Sequence, residues 1–249
     1  MIVAEQGRWA SIAQLAAEYE TIGAVAQRDR WVAAIRRSGL TDAQVEQALA
    51  SESFGPLTAE LRRAEANHHD VDRLLPAFVA RRSLDDAEDI GAVLISRLQK
   101  ATQPKRGSRR PSANLVVGLI PVAGGPMSEE MARALTERAD LMEARAMTLA
   151  EKAAEDKAAW LKRLGTVPAT AGARRRWLHE VRTVAAYRDR YGVEGRRVLG
   201  EPRTDAQRLD AARAEQAIRR ARAIADDAAS AQEGRSQALE SHGRAALGG

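Results

Sequence analysis

The chain has 249 residues, 45% hydrophobic but only 4% aromatic, with 29% charged and a net charge of +5. That length gives one large domain or two small ones, with a core built mostly from small and aliphatic side chains. With no cysteine, disulfide scaffolds, thiolate zinc sites, iron–sulfur clusters and thiol catalysis are excluded.

From Trp9 to Arg37, Ile12, Leu15, Tyr19, Ile22 and Ala26 recur in helical steps, extended by Trp31, Val32 and Ile35. This predicts one helix, stopped at Gly39. Thr41 with Gln44 forms a capping box for a second helix, with Val45, Ala48 and Leu49 on its apolar face. Phe54-Gly55-Pro56 interrupts the pattern; Leu57, Leu61 and Ala64 resume it until Asn67. Asp70 is the expected N-cap of a helix with Leu74, Leu75, Phe78 and Val79 inward, and Asp85 or Asp86 is expected to open the next, which buries Ile90, Val93, Leu94 and Leu98.

Thr102 to Ser112 is rich in Pro, Gly and basic residues and reads as a linker, over 102–113, between an N-terminal helical subdomain (1–101) and a second one (114–200). Leu115 to Val122 reads as a buried turn, because no second strand is evident. Ser128 caps a long helix that reaches toward Leu164. Ala173 to Tyr191 is a further helix with Trp177, Val181, Val184 and Tyr187 at core spacing. Residues 201–249 read as an Arg/Ala-rich helix and flexible tail, because Leu209, Ile218 and Ile224 do not form one stripe. The expected fold is all-α: a helical bundle or two helical subdomains with a basic linker and a partly disordered C-terminal tail. No signal peptide is evident, and the longest apolar stretch is shorter than the ~20 residues of a membrane span, so a cytoplasmic protein without membrane insertion is expected.

Chemistry-bearing motifs are missing. There is no phosphate-cradling Gly-x-x-x-x-Gly-Lys, no Gly-x-Gly-x-x-Gly, no Gly-x-Ser-x-Gly, and His179-Glu180 is not followed by a second ligand histidine. His68 and His69 are adjacent, so their side chains diverge on a helix and read as an exposed helix end. Asp85, Asp86, Glu88 and Asp89 read as first-turn acids facing a helix dipole. No catalytic residue, metal or cofactor is expected, and the chain is read as no enzyme. Charge is more informative. Between Thr170 and Arg222 there are 14 Arg and no Lys against 7 carboxylates. Arg174, Arg175, Arg176, Arg182, Arg188 and Arg190 are candidate phosphate-binding forks, joined by Lys105, Arg106, Arg109 and Arg110 of the linker. The competing reading is a solvated basic face, with Trp177 in the core rather than under a base.

Five stretches carry a family resemblance: AAEYETIGAVAQRDRW, FGPLTAELRRAEANHHDVDRLLPAFVARR, DDAEDIGAVLISRL, LVVGLIPVAGGPMSEEM and VRTVAAYRDRYGV. In content and order they resemble the C-terminal region of actinobacterial MobF-type conjugative relaxases, the TrwC/TraI-like relaxase–helicases, over roughly Trp9 to Gly200. Those proteins carry an N-terminal tyrosine nucleophile with a three-histidine metal site, then a helicase with Walker motifs. Neither pattern occurs here, so Tyr19, Tyr187 and Tyr191 inherit no nucleophile role. The resemblance implies a non-catalytic accessory module of plasmid DNA transfer. Its implied partners are relaxosome, coupling-protein or type IV secretion components, or a second copy. The alternative is a nucleic-acid-binding arm that uses segment 170–222.

Overall fold

In this computed structural model the described residues are 10–81, 83–103 and 112–247, with the side chains of 236 and 238–247 excepted. They form an all-α protein with one very small hairpin. The first helical pattern is divided: α1 spans Ile12–Ala26 and α2 spans Arg28–Arg36. The break falls at Gln27, whose backbone relaxes to φ −101°, ψ 0°. Its buried amide is committed elsewhere, accepting from Arg62 Nε at 2.8 Å and donating to the Gly124 carbonyl at 2.6 Å. Helical periodicity continues across the break, which is why the sequence reads as a single helix.

Helix α3, Asp42–Ala50, begins with the expected capping box at Thr41 and Gln44. Helix α4, Phe54–Ala66, takes Phe54-Gly55-Pro56 into its first turn instead of being interrupted by them. Proline costs nothing there, because first-turn N–H groups have no intrahelical partner. Asp70 caps α5, Val71–Ala80. Helix α6, Ile90–Thr102, is capped by Asp89 rather than by Asp85 or Asp86: the Asp89 carboxylate accepts the Ala92 N–H at 3.0 Å. The same carboxylate takes the Ser51 hydroxyl at 3.0 Å and the Ser53 hydroxyl, tying the α3–α4 turn to the start of α6. The Ser53 bond and the Ala92 N–H hold its pKa below the usual carboxylate range. Asp85 sits in the preceding turn and accepts from Gln44.

Leu115 to Pro121 supplies its own second strand. Strands β1, Leu115–Val116, and β2, Ile120–Pro121, pair antiparallel, with Leu115 opposite Pro121 and Val116 opposite Ile120. A buried turn joins them, with Val117 at φ 48° and Gly118 at φ 73°. Ser128 caps α7, Glu129–Glu155, through the Met131 N–H at 3.3 Å. A 3-10 helix, Ala159–Leu164, follows; then come α8, Ala171–Arg190, and α9, Asp205–Leu247. The backbone of α9 is helical as far as Leu247.

Neither of the two compact units is one continuous stretch of chain. One comprises Ala16–Val116 with Ile120–Ala139. Its core joins Trp31 and Ile35 of α2, Leu57 and Leu61 of α4, Leu75 and Phe78 of α5, and Ile90, Leu94 and Leu98 of α6. Of the described residues, the other takes Ala10–Leu15, Val117–Leu119 and those from Asp140 on. Its core sets Trp160, Leu161 and Leu164 of the 3-10 helix against Trp177, Val181 and Val184 of α8. Helix α9 closes that core with Ala217, Ile218, Ala221 and Ala225. The stripe on α9 is thus made mostly of alanines, which let two helix backbones approach closely. A search for large apolar residues passes over it: Leu209 is 41% exposed.

Candidate functional site

The arginines singled out on α8 divide into two groups, and helix geometry decides which. Arg188 lies eleven residues after Trp177, about three turns, and so shares its inward face. Its guanidinium donates to the carbonyls of Gly195, Arg197 and Val198 and lies over the Trp160 ring, 5.0 Å from its centre. It is a clasp for the loop between α8 and α9. Burial lowers its pKa and that of Arg182.

Arg182 pairs with Glu143 of α7, whose other oxygen accepts the strained Val117 N–H at 2.7 Å. Arg190 pairs at 3.2 Å with Asp210, which is only 6% exposed and also accepts the Tyr191 hydroxyl at 2.8 Å and Arg213. Tyr191 stacks obliquely on Tyr187, ring centres 4.8 Å apart, and Tyr187 accepts from Gln207. Burial raises both phenol pKa values. These side chains join α8, α9 and α7; three of the six α8 arginines are thereby withdrawn from a binding surface.

Arg174, Arg175 and Arg176 are exposed, and among the described residues none has an ion-pair or hydrogen-bond partner on its side chain. They occupy the start of α8, where Thr170 makes no side-chain cap and no acidic residue stands in the first turn. Trp177, the next residue, is fully buried and donates Nε1 to the Leu164 carbonyl at 3.0 Å, as its core spacing predicts. Gly165 follows at φ 85°, and a Cβ on it would lie 2.6 Å from the Ala225 Cβ of α9. Glu180 lies level with Arg220, at 4.0 Å, so the start of α8 stands beside the stretch of α9 around Arg222, whose side chain reaches Asp226 at 3.9 Å. Lys105, Arg106, Arg109 and Arg110 lie outside the described residues.

Helix α9 changes character at Ala225. Up to that residue one face is covered; beyond it every residue from Ala229 to Arg235 is exposed, with Asp226 and Asp227, while Ala228 is half-buried. From Ala225 to Leu247 the helix runs about 33 Å at 1.5 Å per residue. His68 stands exposed past the end of α4 at φ 61°, bonded to the Ser112 carbonyl at 2.8 Å. Among the described residues no group of three or more His, Asp or Glu is placed to hold a metal ion. Among them, too, no helix is long and apolar enough to cross a membrane.

Sequence reasoning missed one further polar centre. Asp189 takes a two-pronged ion pair from Arg145 of α7, at 2.8 and 2.7 Å, and the Ile12 N–H at 2.7 Å, one of the free N–H groups at the start of α1; Ser11 Oγ accepts another, from Gln14, at 3.2 Å. Nothing in local spacing announces it, since its partners lie 44 and 177 residues away. No protein-family model, no curated protein and no solved structure matches the chain.

Proposed function

We propose that the chain works by macromolecular contact rather than by catalysis, as a helical accessory module of the plasmid DNA-transfer machinery, and that the second half of α9 is its docking element. The observation that carries this reading is the exposed stretch of α9 from Ala229 to Arg235. A helix that presents its side chains to solvent draws its stability largely from propensity and from continuity with its packed half. Such a helix is suited to completing its packing on a partner. The transfer setting rests on the sequence resemblance to the C-terminal region of MobF-type relaxases, and the partners it favours are relaxosome and coupling proteins.

The test is binding of purified relaxase and coupling ATPase to the whole chain and to a chain ending at Asp226. The shortened chain retains every α9 residue of the second core, so it should keep its fold and lose the partner. Equal binding by both would overturn the assignment to α9.

A second reading has its own observation: Arg174, Arg175 and Arg176 are exposed and unpaired at a helix start that also lacks acidic residues. On this reading the triad contacts nucleic-acid phosphates, and the chain holds DNA beside its protein partners. Fluorescence anisotropy of labelled single- and double-stranded DNA at two salt concentrations tests it, and the absence of salt-dependent binding would remove it.

A further inference from the structure

Among the described residues, Arg62 is the only lysine or arginine that is more than nine-tenths buried, with 5% of its surface exposed. It projects from α4 into a polar strap. Its Nε donates to Gln27 Oε1 at 2.8 Å, and Gln27, fully buried, donates onward to the Gly124 carbonyl at 2.6 Å. Arg30 donates to the same carbonyl at 3.1 Å, but the Arg30 charge is answered by a two-pronged pair with Glu65. Nothing equivalent answers Arg62. Among the described residues no carboxylate lies within ion-pair range of it, and neither Nη atom has an acceptor.

The described side-chain nitrogens that are both sealed from solvent and without a partner are Trp31 Nε1 and Arg182 Nε. The Nη atoms of Arg62 therefore retain a narrow opening to solvent. The guanidinium lies against Gly23 of α1, where an added Cβ would sit 3.4 Å from Nη1, 3.5 Å from Cζ and 3.3 Å from the Ala123 Cβ. A side-chain methyl there would rest in ordinary contact with the fork, so the fork packs directly against the α1 backbone at Gly23. Tyr19, one turn earlier on α1, accepts the Ala123 N–H at 2.9 Å and keeps its own hydroxyl proton to donate. Burial lowers the Arg62 pKa, while the longer-range charge of Glu20 and the nearby Tyr19 act against that.

A buried charge whose hydrogen bonds are unspent is costly, and planar guanidinium forks match oxyanions in two-pronged geometry. We propose that Arg62 anchors a binding site for a small oxyanion of the phosphate or carboxylate type, held by Nη1 and Nη2 with the Tyr19 hydroxyl as a neighbouring donor. The fork is recessed, so it takes a free anion or an anionic end group rather than the middle of a nucleic-acid strand. The proposal is independent of the docking role given to α9.

The experiment titrates the whole chain with inorganic phosphate and, separately, with acetate, against chloride at matched ionic strength. Calorimetry gives the affinity and thermal unfolding gives the accompanying stabilisation. The expected result is saturable binding of at least one of the two anions, weakened about tenfold or more by R62M, as removal of a two-pronged charged hydrogen bond implies. Which anion binds more tightly assigns the class. R62M removes an uncompensated charge and keeps an apolar stem, so it should fold; far-UV circular dichroism checks this. E20Q, which removes the nearby negative charge and leaves the fork intact, should tighten binding several-fold. Binding unchanged in R62M, binding lost instead when Arg174, Arg175 and Arg176 become Ala, or stabilisation no greater than in chloride would each overturn the proposal.

Discussion

Replacing Asp189 with Asn tests how Ile12 and Arg145 are tied to α8 within the second unit. The change keeps size and shape but removes the charge that faces Arg145 and the Ile12 N–H. The paired side chains are only 23% and 17% exposed, so the guanidinium left behind is poorly hydrated. Breaking a fully buried pair from one side costs about 3–5 kcal/mol; the residual exposure here lowers that to about 2–3 kcal/mol. Weakening the bond to Ile12 adds about 1 kcal/mol. For a chain of this size a loss of about 3–4 kcal/mol corresponds to a fall in Tm of about 6–16 °C.

Urea unfolding followed by circular dichroism measures the loss, and a double-mutant cycle with R145M should return a coupling of about 1 kcal/mol or more. The effect is also pH-dependent. Burial pushes the Asp189 carboxyl up, but the Arg145 fork and the Ile12 N–H outweigh it and hold its pKa below the usual carboxylate value. Its contribution is therefore complete above the unfolded-chain value of about 3.9 and is lost as pH falls through the lower folded value. Wild type and D189N should converge in that acid range. A difference under about 0.5 kcal/mol at neutral pH would refute the reasoning, as would a gap that persists unchanged into acid.

Three further outcomes are expected. G165A should cost about 2–4 kcal/mol, because it places a side chain at φ 85° and drives its Cβ into Ala225; A225G in the same chain should recover part of this in urea unfolding. T41A should cost about 1 kcal/mol through loss of the α3 capping box, read the same way. Replacing Arg174, Arg175 and Arg176 with Ala should leave Tm almost unchanged, because none of the three is paired. If the triad holds phosphates, the same variant should flatten the salt dependence of duplex binding by up to about 0.9 log units for each phosphate it no longer neutralises.

Local chemistry made much of the fold readable in the sequence. Thr41 with Gln44, Asp70 and Ser128 act within three residues of themselves, and each caps the helix expected of it. Trp177, Val181 and Val184 share one helical face and form core. What stayed hidden depends on distant partners. Gln27 breaks a helix because its amide is claimed by Arg62 and Gly124. Asp89 rather than Asp85 caps α6, a choice reinforced by Ser51 and Ser53 of an earlier turn. The α9 stripe was missed because alanine packs through backbone proximity and carries little hydropathy signal. Of the candidate binding arginines, Arg188 was the one whose withdrawal was legible, since its step from Trp177 puts it on the inward face. Arg182 and Arg190 depend on Glu143 and Asp210, which only the folded chain brings near.

On the proposed function, α9 beyond Ala225 is the docking helix. Amide hydrogen exchange across that stretch, measured for the chain alone and with purified coupling ATPase or relaxase, tests it most directly. Residues Ala229 to Arg235, exposed in the free chain, should exchange rapidly there. With the partner bound they should slow at least about tenfold, which is about 1.4 kcal/mol of added protection. Unchanged exchange there, with protection appearing instead at the start of α8 or nowhere, would contradict it.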